Sequence, residues 1–386
     1  MKRITSPQYL WELPDWPQFR FDAAALLAPL GRVRRLQGGL LSRATSLGLV
    51  ADRLEQAAVL AREVLASSGI EGEKLDAAGV RSSVARHLDL PTAGLPAPGP
   101  REDGAVAVVL DAVTRYDAPL DAARLFSWHG ALFPTGYAGL RRIGVGTWRG
   151  EAPMQVVSGR GNREVVHFQA PPFDRVGPEM ERFFGWWRAG AAFPGGQVGR
   201  DGWDGQDGLV RAGLAHLYFL TIHPFEDGNG RLARAITKMA LAGDEGSPVR
   251  LYSASARILA EREAYYEELE RSQKGGLDVT EWLVWFLGLL GRAMEQAEAV
   301  VDRVVGKAAF WQRFAACPVN ERQRKVVNRL LDAGDAFEGG LTTRKYAAMT
   351  KTSRATAYRD IAELAAWGMV LENPGQGRNV SYRLAP

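Results

Sequence analysis

Residues 223–234 read HPFEDGNGRLAR and separate two segments with strong helical patterns. The preceding residues 209–222 (LVRAGLAHLYFLTI) are apolar on nearly every side, which predicts a buried helix. The following residues 232–242 (LARAITKMALA) are rich in strong helix formers. Between them lie a proline, two glycines and an asparagine, which are residues that interrupt helices. The stretch is therefore predicted to be a tight loop that ends at a helix N-terminus.

The loop combines several features of an anion-binding site. The first turn of a helix carries unpaired N–H groups and a partial positive charge, and glycines let a phosphate approach the backbone. Arg231 and Arg234 are three residues apart, so two guanidinium groups are expected near one helix face. Asp227 offers a hard oxygen ligand for Mg²⁺. His223 is a candidate general base because its unperturbed pKa lies near neutrality.

The same residues have ordinary explanations when they are taken singly. A His-Pro pair commonly ends a helix, an Asp-Gly pair commonly forms a turn, and short motif matches include false positives. Together, however, residues 223–234 resemble the Fic-domain signature HPFx[D/E]GNGRxxR, with every fixed position filled. Proteins of the Fic family are mostly AMP transferases, which move AMP from ATP to a hydroxyl side chain of a target protein and release pyrophosphate.

The resemblance implies a role for each residue of the signature. His223 would deprotonate the attacking hydroxyl group, and Asp227 would hold Mg²⁺ on the α- and β-phosphates of ATP. The remaining signature residues would bind the nucleotide: Arg231 at the β-phosphate, Arg234 at the γ-phosphate, and Gly228, Asn229 and Gly230 around the phosphates.

A second motif follows the helical pattern of residues 51–66. Residues 67–73 (SSGIEGE) fit an exposed helix end, where glycine is common. They also resemble the Fic inhibitory motif [S/T]xxxE[G/N] through Ser67, Glu71 and Gly72. In that family the glutamate pairs with the second signature arginine, here Arg234, and blocks the γ-phosphate position. A carboxylate can play this part because it offers an arginine the same paired oxygens as a phosphate.

Composition limits the class of protein. A chain of 386 residues predicts two or three domains, and 46% hydrophobic residues is ordinary for a globular protein. Cys317 is the only cysteine, which excludes an intrachain disulfide and suits a reducing compartment. The sequence has no apolar run of 18 residues and no signal-peptide pattern at its start, so a cytoplasmic location without a membrane partner is expected. A net charge of +4 permits contact with nucleic acid without arguing for it.

Several segments outside the two motifs have patterns of their own. Residues 1–22 are rich in aromatic side chains and proline and are expected to pack on the first helix. Residues 154–172 contain two short β-prone runs around a polar turn, which predicts a hairpin. The hairpin could be an ordinary surface feature, but it also resembles the Fic flap, along which the target protein's peptide binds. Residues 194–208 form a Gly-rich polar loop with no assigned mechanism, and residues 251–272 are predicted to be one helix.

The C-terminal residues have a separate pattern. A helix, a helix–turn–helix and a small hairpin are predicted after residue 320, in an order that resembles a winged-helix domain. Such a domain could bind DNA or serve only for protein contact and packing. The residues expected to face DNA are Ser353, Arg354, Thr356, Tyr358 and Arg359 on the second helix and Arg378 on the wing.

These patterns predict a mainly α-helical protein with a Fic-type core, a small β-hairpin flap, an N-terminal helical extension and a C-terminal winged helix. The expected boundaries are 1–90, 105–300 and 318–386. The expected activity is Mg²⁺- and ATP-dependent AMP transfer to a Ser, Thr or Tyr hydroxyl, restrained by Glu71. Two alternatives stay open: removal of AMP from a target by the same residues, and a DNA-binding regulator whose Fic domain senses nucleotide. The expected partners are ATP and a target protein, with DNA and a second copy of the chain as further candidates.

Overall fold

The computed structural model describes residues 8–46, 53–92, 94–159, 165–189, 207–248, 250–334, 337–374 and 380–385. The chain divides into two compact units, Met1–Ala297 and Glu298–Pro386. Most of the predicted loop 194–208, the centre of the predicted hairpin turn and Arg378 of the predicted wing lie outside the described residues.

The first unit begins with helices that carry the second motif. Asp22 stands before the first of these helices, and its Oδ1 atom accepts a hydrogen bond from the backbone N–H of Ala24 (2.9 Å), as an N-cap residue does. Asp76 caps the third helix in the same way, through the N–H groups of Ala78 and Gly79. The helices are α1 Ala23–Ser46, α2 Arg53–Ile70 and α3 Ala77–His87. The motif at residues 67–73 therefore lies at the end of α2.

The centre of the first unit is a helical core around one antiparallel pair. The core helices are α4 Pro100–Thr114, α5 Ala122–Leu132, α6 Phe173–Ala189, α7 Gly208–Ile222 and α8 Asn229–Glu245. Helix α7 is buried from Leu209 to Ile222 except at the partly exposed Arg211, which confirms the prediction of a buried helix. It packs along α8, so the core fixes the two helices that flank the signature loop.

The aromatic residues before α1 pack differently from the prediction. Trp16 lies edge-to-face on Tyr218 of α7, with ring centroids 5.2 Å apart, and its indole N–H donates to Glu179 of α6 (2.9 Å). Phe19 also contacts Tyr218 (5.8 Å). The segment therefore covers the core helices rather than lying on α1 alone, because the buried Tyr218 provides an aromatic surface and Glu179 accepts the indole proton.

The segment predicted as one helix over residues 251–272 is two helices. They are α9 Ala254–Ala260 and α10 Arg262–Gln273, and the long helix α11 Thr280–Arg313 follows. The break falls at Glu261, whose backbone leaves the helical region. Its carboxylate accepts two hydrogen bonds from Arg292 of α11 (2.8 and 2.7 Å). A tertiary contact thus interrupts a sequence with good helix propensity.

Short antiparallel hairpins complete the first unit. Strand β1 Tyr137–Ala138 pairs with β2 Arg141–Arg142, and β3 Gln155–Ser158 pairs with β4 Val165–Gln169. The second pair confirms the hairpin predicted within residues 154–172. It has a register shift between Val156 and Val157. His167 lies in β4, where its ring contacts Ser158 of β3 and Glu270 of α10 (2.6 Å each).

The second unit has its own apolar core. Its elements after α11 are α12 Glu321–Ala333, α13 Thr343–Thr350, α14 Arg354–Ala366, β5 Val370–Glu372 and β6 Tyr382–Leu384. Asp360 of α14 is buried and accepts hydrogen bonds from Arg322 (3.0 Å) and Tyr346 (2.9 Å), which ties the three helices together. None of the helices in the described ranges combines the length and the apolar character that a membrane crossing requires.

Candidate active site

The signature loop begins where α7 ends at His223. The backbone of His223 is left-handed (φ 53°), and its N–H closes the last turn on Phe219 (3.0 Å). Pro224 follows and cannot continue the helix. The ring Nδ1 lies 3.3 Å from the carbonyl of Leu220, and a carbonyl only accepts, so Nδ1 carries the proton. The Nε2 atom of the neutral ring therefore keeps its lone pair.

Desolvation keeps His223 neutral. Burial lowers the pKa of this imidazole from 6.5 to about 4, and the nearby Arg149 adds to the decrease. The side chain nevertheless remains partly accessible to solvent. Near neutral pH, His223 can thus accept a proton without first having to lose one.

Arg149 holds the turn at His223 and was not identified from the sequence. The guanidinium is buried and donates from Nε to the carbonyl of His223 (2.9 Å) and from Nη2 to the carbonyl of Pro171. Its backbone N–H donates to the carbonyl of Pro224 (2.9 Å). Burial lowers the pKa of Arg149 to about 10. A single arginine in an irregular segment gives no sequence pattern that distinguishes it from a surface residue.

The middle of the loop is braced by Asn229. Its side-chain oxygen accepts from the N–H of Phe225 (3.0 Å), and its side-chain nitrogen donates to the carbonyl of Phe225 (2.8 Å). The side chain of Asn229 is buried and serves the loop, so its contribution toward a ligand would come from the backbone. Gly228 has φ 83° and a built Cβ there would meet the ring of Phe133 at 2.8 Å. Only glycine fits both restrictions.

Asp227 is the residue of the loop that can reach a metal ion. Its side chain is 42% exposed, and Oδ1 accepts the N–H of Gly228 (2.6 Å). Its backbone carbonyl accepts from Nε2 of the buried His129 (3.2 Å), whose Nδ1 accepts the N–H of Gly146 (3.2 Å). Burial lowers the pKa of His129 to about 4, so the ring is neutral. His129, which was also not identified from the sequence, thus fixes the backbone that carries the Asp227 carboxylate.

One exposed carboxylate oxygen beside a helix N-terminus suits Mg²⁺. This ion usually binds through one or two carboxylates, with phosphate oxygens and water filling the other positions. Among the described residues there is no group of three or more His, Cys, Asp or Glu side chains that could hold a metal by protein ligands alone. Asp227 therefore fits a metal that a phosphate ligand helps to bind.

The second motif and the signature helix meet at Arg234. The guanidinium of Arg234 is 2% exposed and donates from Nη2 to Oε1 of Glu71 (2.8 Å). It also donates to the side chain (2.9 Å) and the carbonyl (2.7 Å) of Ser67. Burial alone would lower the pKa of Arg234, but the Glu71 carboxylate together with Tyr265 and Tyr266 outweighs this effect, and the pKa is raised. The contacts form one hydrogen-bonded group of Ser67, Glu71 and Arg234. Arg234 is more than 160 residues away in sequence from the other two.

The Glu71 carboxylate lies directly on the first turn of α8. A Cβ built on Gly230 would be 2.0 Å from Oε1 of Glu71 and 2.9 Å from its Cδ. The carboxylate therefore occupies the space that the missing side chain leaves, next to the N–H groups at the start of the helix. Any other residue at position 230 would exclude an anion from this position.

Arg231 is paired with another carboxylate. Its Nη1 donates to Oε2 of Glu73 (2.5 Å), and its Nη2 lies 3.5 Å from Asp227. The guanidinium also covers the ring of Phe133, 4.7 Å from the ring centre. A cleft of about 370 Å³ is bordered by Glu71 and Glu73, the two carboxylates of the second motif, and by Asp227 and Arg231. Glu73 was not singled out in the sequence.

A buried network of hydrogen bonds lies next to Arg234. The ring of His216 contacts Thr237 of α8 through Nδ1 (2.9 Å) and the hydroxyl of Tyr265 through Nε2 (2.8 Å). Burial lowers the pKa of His216 to about 3 and raises that of Tyr265. Both residues are buried, and their hydrogen bonds join α7, α8 and α10 beside the arginine.

Comparison with known proteins agrees with this geometry. Residues 119–241 match the model of the Fic/DOC family, and these residues include the whole signature loop and the arginines of α8. Residues 119–241 of this chain form a Fic domain. Residues 9–90 match a model described as a domain of unknown function, DUF4172, which includes the motif with Glu71. Fic domains typically transfer nucleotidyl groups, in general AMP.

Three solved structures are similar to this chain. A Fic family protein from Desulfovibrio desulfuricans G20 is 20% identical, with a TM-score of 0.53 over 96% of this chain and 98% of that one. A Fic domain containing signaling protein from Bacteroides thetaiotaomicron VPI-5482 is 16% identical, with a TM-score of 0.47 over 70% and 98% of the two chains. Fic-1 from C. elegans is 18% identical, with a TM-score of 0.43 over 73% of each chain. The first similarity supports a mainly α-helical Fic fold with small β-hairpins.

Proposed function

We propose that this protein transfers AMP from ATP to a Ser, Thr or Tyr hydroxyl of a target protein, and that Glu71 restrains the reaction. The observation that carries the proposal is the meeting of a neutral, partly accessible His223 with two buried arginines at one helix N-terminus. His223 would supply the base, and Arg231 and Arg234 would bind an anion that carries several charges.

The proton transfer is assigned to His223. Its Nε2 atom would accept the proton of the target hydroxyl while the hydroxyl oxygen attacks the α-phosphorus of ATP. The bond from that phosphorus to the bridging oxygen of the β-phosphate breaks, and pyrophosphate leaves with the bonding electrons. Because the pKa of His223 is lowered by burial, the ring is already in its proton-accepting form near neutral pH.

The phosphates are assigned to the first turn of α8. Gly230 lets an anion approach the backbone N–H groups, while Arg231 and Arg234 supply guanidinium groups at separate positions along the helix. Asp227 would hold Mg²⁺, which neutralises phosphate charge when it is bound. The target is proposed to bind along the hairpin β3–β4, where an added peptide strand can pair with a free sheet edge.

The restraint is assigned to the Glu71–Arg234 pair. The Glu71 carboxylate accepts a hydrogen bond from the Arg234 guanidinium, which a terminal phosphate would need, and it fills the space next to Gly230. ATP could bind in its productive pose only when Glu71 moves away. The contact is intramolecular, so it competes at a constant effective concentration.

The test is the mass of the intact protein after incubation with Mg²⁺ and ATP. The Glu71→Gly variant should gain one or more AMP units, wild type should gain fewer, and the Glu71→Gly/His223→Ala variant should gain none. The absence of an adduct in every variant would contradict AMP transfer. An adduct in the variant without His223 would contradict its role as the base.

Removal of AMP from a target is a second candidate reaction. One observation favours it: the Glu71 side chain is 31% exposed within the site, so its carboxylate could hold an attacking water. The adduct formed by Glu71→Gly provides a substrate for the test. If the protein removes AMP from targets, wild type should hydrolyse AMP from that adduct, whereas a Glu71→Gln variant should not. A stable adduct in the presence of wild type would exclude this reaction for that substrate.

The second unit suggests a separate role in binding DNA. The outer face of α14 exposes Arg354, Tyr358 and Arg359, while Asp360 and Ile361 face the core. A helix with exposed basic and aromatic residues after a short turn suits the major groove. A gel shift at several salt concentrations tests it. Dependence on DNA sequence would support the role, and a shift that only weakens with salt would indicate unspecific attraction.

A further inference from the structure

Glu73 forms a second carboxylate contact with the signature helix. Its Oε2 atom accepts a hydrogen bond from Nη1 of Arg231 (2.5 Å). The side chains of Arg231 and Glu73 are only 8% and 15% exposed, so water screens this pair little. The Glu71–Arg234 pair lies beside it and uses different atoms of a different arginine. Each signature arginine is therefore occupied by its own carboxylate from the same loop.

The end of α2 explains why two residues of one short segment reach α8. The N–H of Glu73 donates to the carbonyl of Ser68 (3.0 Å), and the N–H of Gly72 donates to the carbonyl of Gly69 (3.0 Å). These are the two bonds of a Schellman motif, whose reversing residue takes a left-handed conformation. Gly72 supplies it with φ 76°. The chain reversal leaves Glu71 and Glu73 on the side of the loop that faces the first turn of α8.

The two anion positions are chemically distinct. The position at Arg234 is enclosed by the backbone and side chain of Ser67. The position at Arg231 lies next to the exposed carboxylate of Asp227 and the ring of Phe133. With the proposed order of the phosphates, a nucleoside diphosphate would need Arg231 for its β-phosphate, and a triphosphate would need both arginines.

We infer that Glu73 is a specificity-determining residue, which competes for Arg231 with the β-phosphate as Glu71 competes for Arg234 with the γ-phosphate. The inference rests on the proposed function for the order of the phosphates. Glu73 then acts on every nucleotide that has a β-phosphate, whereas Glu71 acts only on a triphosphate. The two carboxylates together set the preference among AMP, ADP and ATP.

A second cation makes the release of Glu73 easier. Its Oε1 atom is also paired with Arg101, in the first turn of α4. When Arg231 turns to a phosphate, Glu73 keeps Arg101 as its partner and is not left as an isolated charge. Removal of Arg101 should therefore leave Glu73 bound more firmly to Arg231. Removal of the charge at Glu73 is thus expected to raise the affinity for ADP, and removal of the charge at Arg101 is expected to lower it.

Calorimetric titration with Mg²⁺ and each of AMP, ADP and ATP tests the inference, because it needs no transfer reaction. The Glu73→Gln variant should bind ADP about tenfold more tightly than wild type, which corresponds to the loss of one competing charged hydrogen bond. The matched Glu71→Gln variant should bind ADP within about twofold of wild type and bind ATP more tightly. The Arg101→Gln variant should bind ADP more weakly, and AMP should bind alike to all of them.

The outcomes separate this inference from the proposed function. Unchanged ADP affinity in Glu73→Gln would overturn the role of Glu73, even if an AMP adduct forms as proposed. Equal effects of Glu71→Gln and Glu73→Gln on ADP would also overturn it, because the two positions would then not be independent. Tighter ADP binding in Glu73→Gln without any AMP adduct would support Glu73 and refute the transfer reaction. A failure of all variants to bind nucleotide would overturn both.

Discussion

Replacement of Gly230 by alanine tests the position of Glu71 without any assay of activity. A Cβ at residue 230 would lie 2.0 Å from Oε1 of Glu71, far inside any tolerated contact between these atoms. The backbone of α8 is fixed by its packing along α7, so the carboxylate must move. The alanine side chain should therefore break the hydrogen bond between Glu71 and Arg234.

Two opposing terms decide the effect on stability. Alanine is favoured over glycine in a helix by about 0.5–1 kcal/mol, with the lower value expected in the first turn. A hydrogen bond to a charged group contributes about 1.5–3 kcal/mol, and the lower value applies because Glu71 is partly exposed. The loss therefore exceeds the gain. We expect Gly230→Ala to lower the free energy of unfolding by about 1 kcal/mol.

Gly243 provides a matched control on the same helix. A Cβ there would meet only a carbon of Tyr116, at 3.8 Å, which is an ordinary contact. Gly243→Ala should raise the free energy of unfolding by up to about 1 kcal/mol. Urea unfolding of the two variants, followed by circular dichroism, should thus show midpoints that move in opposite directions from wild type.

A double-mutant cycle isolates the contact. In a Glu71→Gly background the carboxylate is absent, so Gly230→Ala should become stabilising, with a coupling free energy of about 1–2 kcal/mol between the two sites. If Gly230→Ala stabilises the wild-type protein as Gly243→Ala does, then Glu71 does not lie over the first turn of α8. The proposed restraint would lose its structural basis.

Further predictions concern the other residues of the site. His223→Ala should abolish AMP transfer and leave calorimetric ATP binding within about threefold of wild type; a retained rate would exclude His223 as the base. Arg149→Met should reduce transfer by about tenfold or more because the His223 turn loses its support, and an unchanged rate would limit Arg149 to packing. Tyr265→Phe should lower the free energy of unfolding by about 1 kcal/mol through the lost bond to His216, measured with urea. The pKa values of His129 and His216 are lowered to about 4 and about 3. Because the unfolded chain binds these protons first, stability should fall as the pH drops from about 6.5 to 4, and a flat profile there would contradict neutral buried histidines.

The sequence predicted the parts of the site that depend on local chain chemistry. Proline and glycine end α7 and shape the loop, and the arginines follow at helical spacing on α8, so loop and helix could be predicted together. The hairpin β3–β4 could be predicted for the same reason, since its β-prone runs flank a polar turn. The pairing of Glu71 with Arg234 came from the family resemblance and not from spacing, because nothing local joins residues so distant in sequence.

The parts that the sequence did not predict depend on tertiary contacts. The buried guanidinium of Arg149 is satisfied by hydrogen bonds to two carbonyls from separate segments, at His223 and Pro171. The interruption between α9 and α10 at Glu261 depends on Arg292 of α11 and contradicts the local helix propensity. Glu73 resembles any exposed acidic residue after a helix until the fold places it against Arg231. In each case the partner that gives the residue its role is remote in sequence.

The strength of the proposed restraint follows from where Glu71 stands relative to two helices. It lies at the C-terminal end of α2, where a negative charge is disfavoured, and at the N-terminal end of α8, where it is favoured. The ion pair with Arg234 favours the position of Glu71 at the first turn of α8. Glu71, however, engages only Arg234 of α8, whereas a triphosphate that also displaces Glu73 from Arg231 could engage both arginines and the N–H groups of the first turn. ATP should therefore displace Glu71 in a fraction of molecules, and we expect wild type to retain a low rate of transfer rather than none.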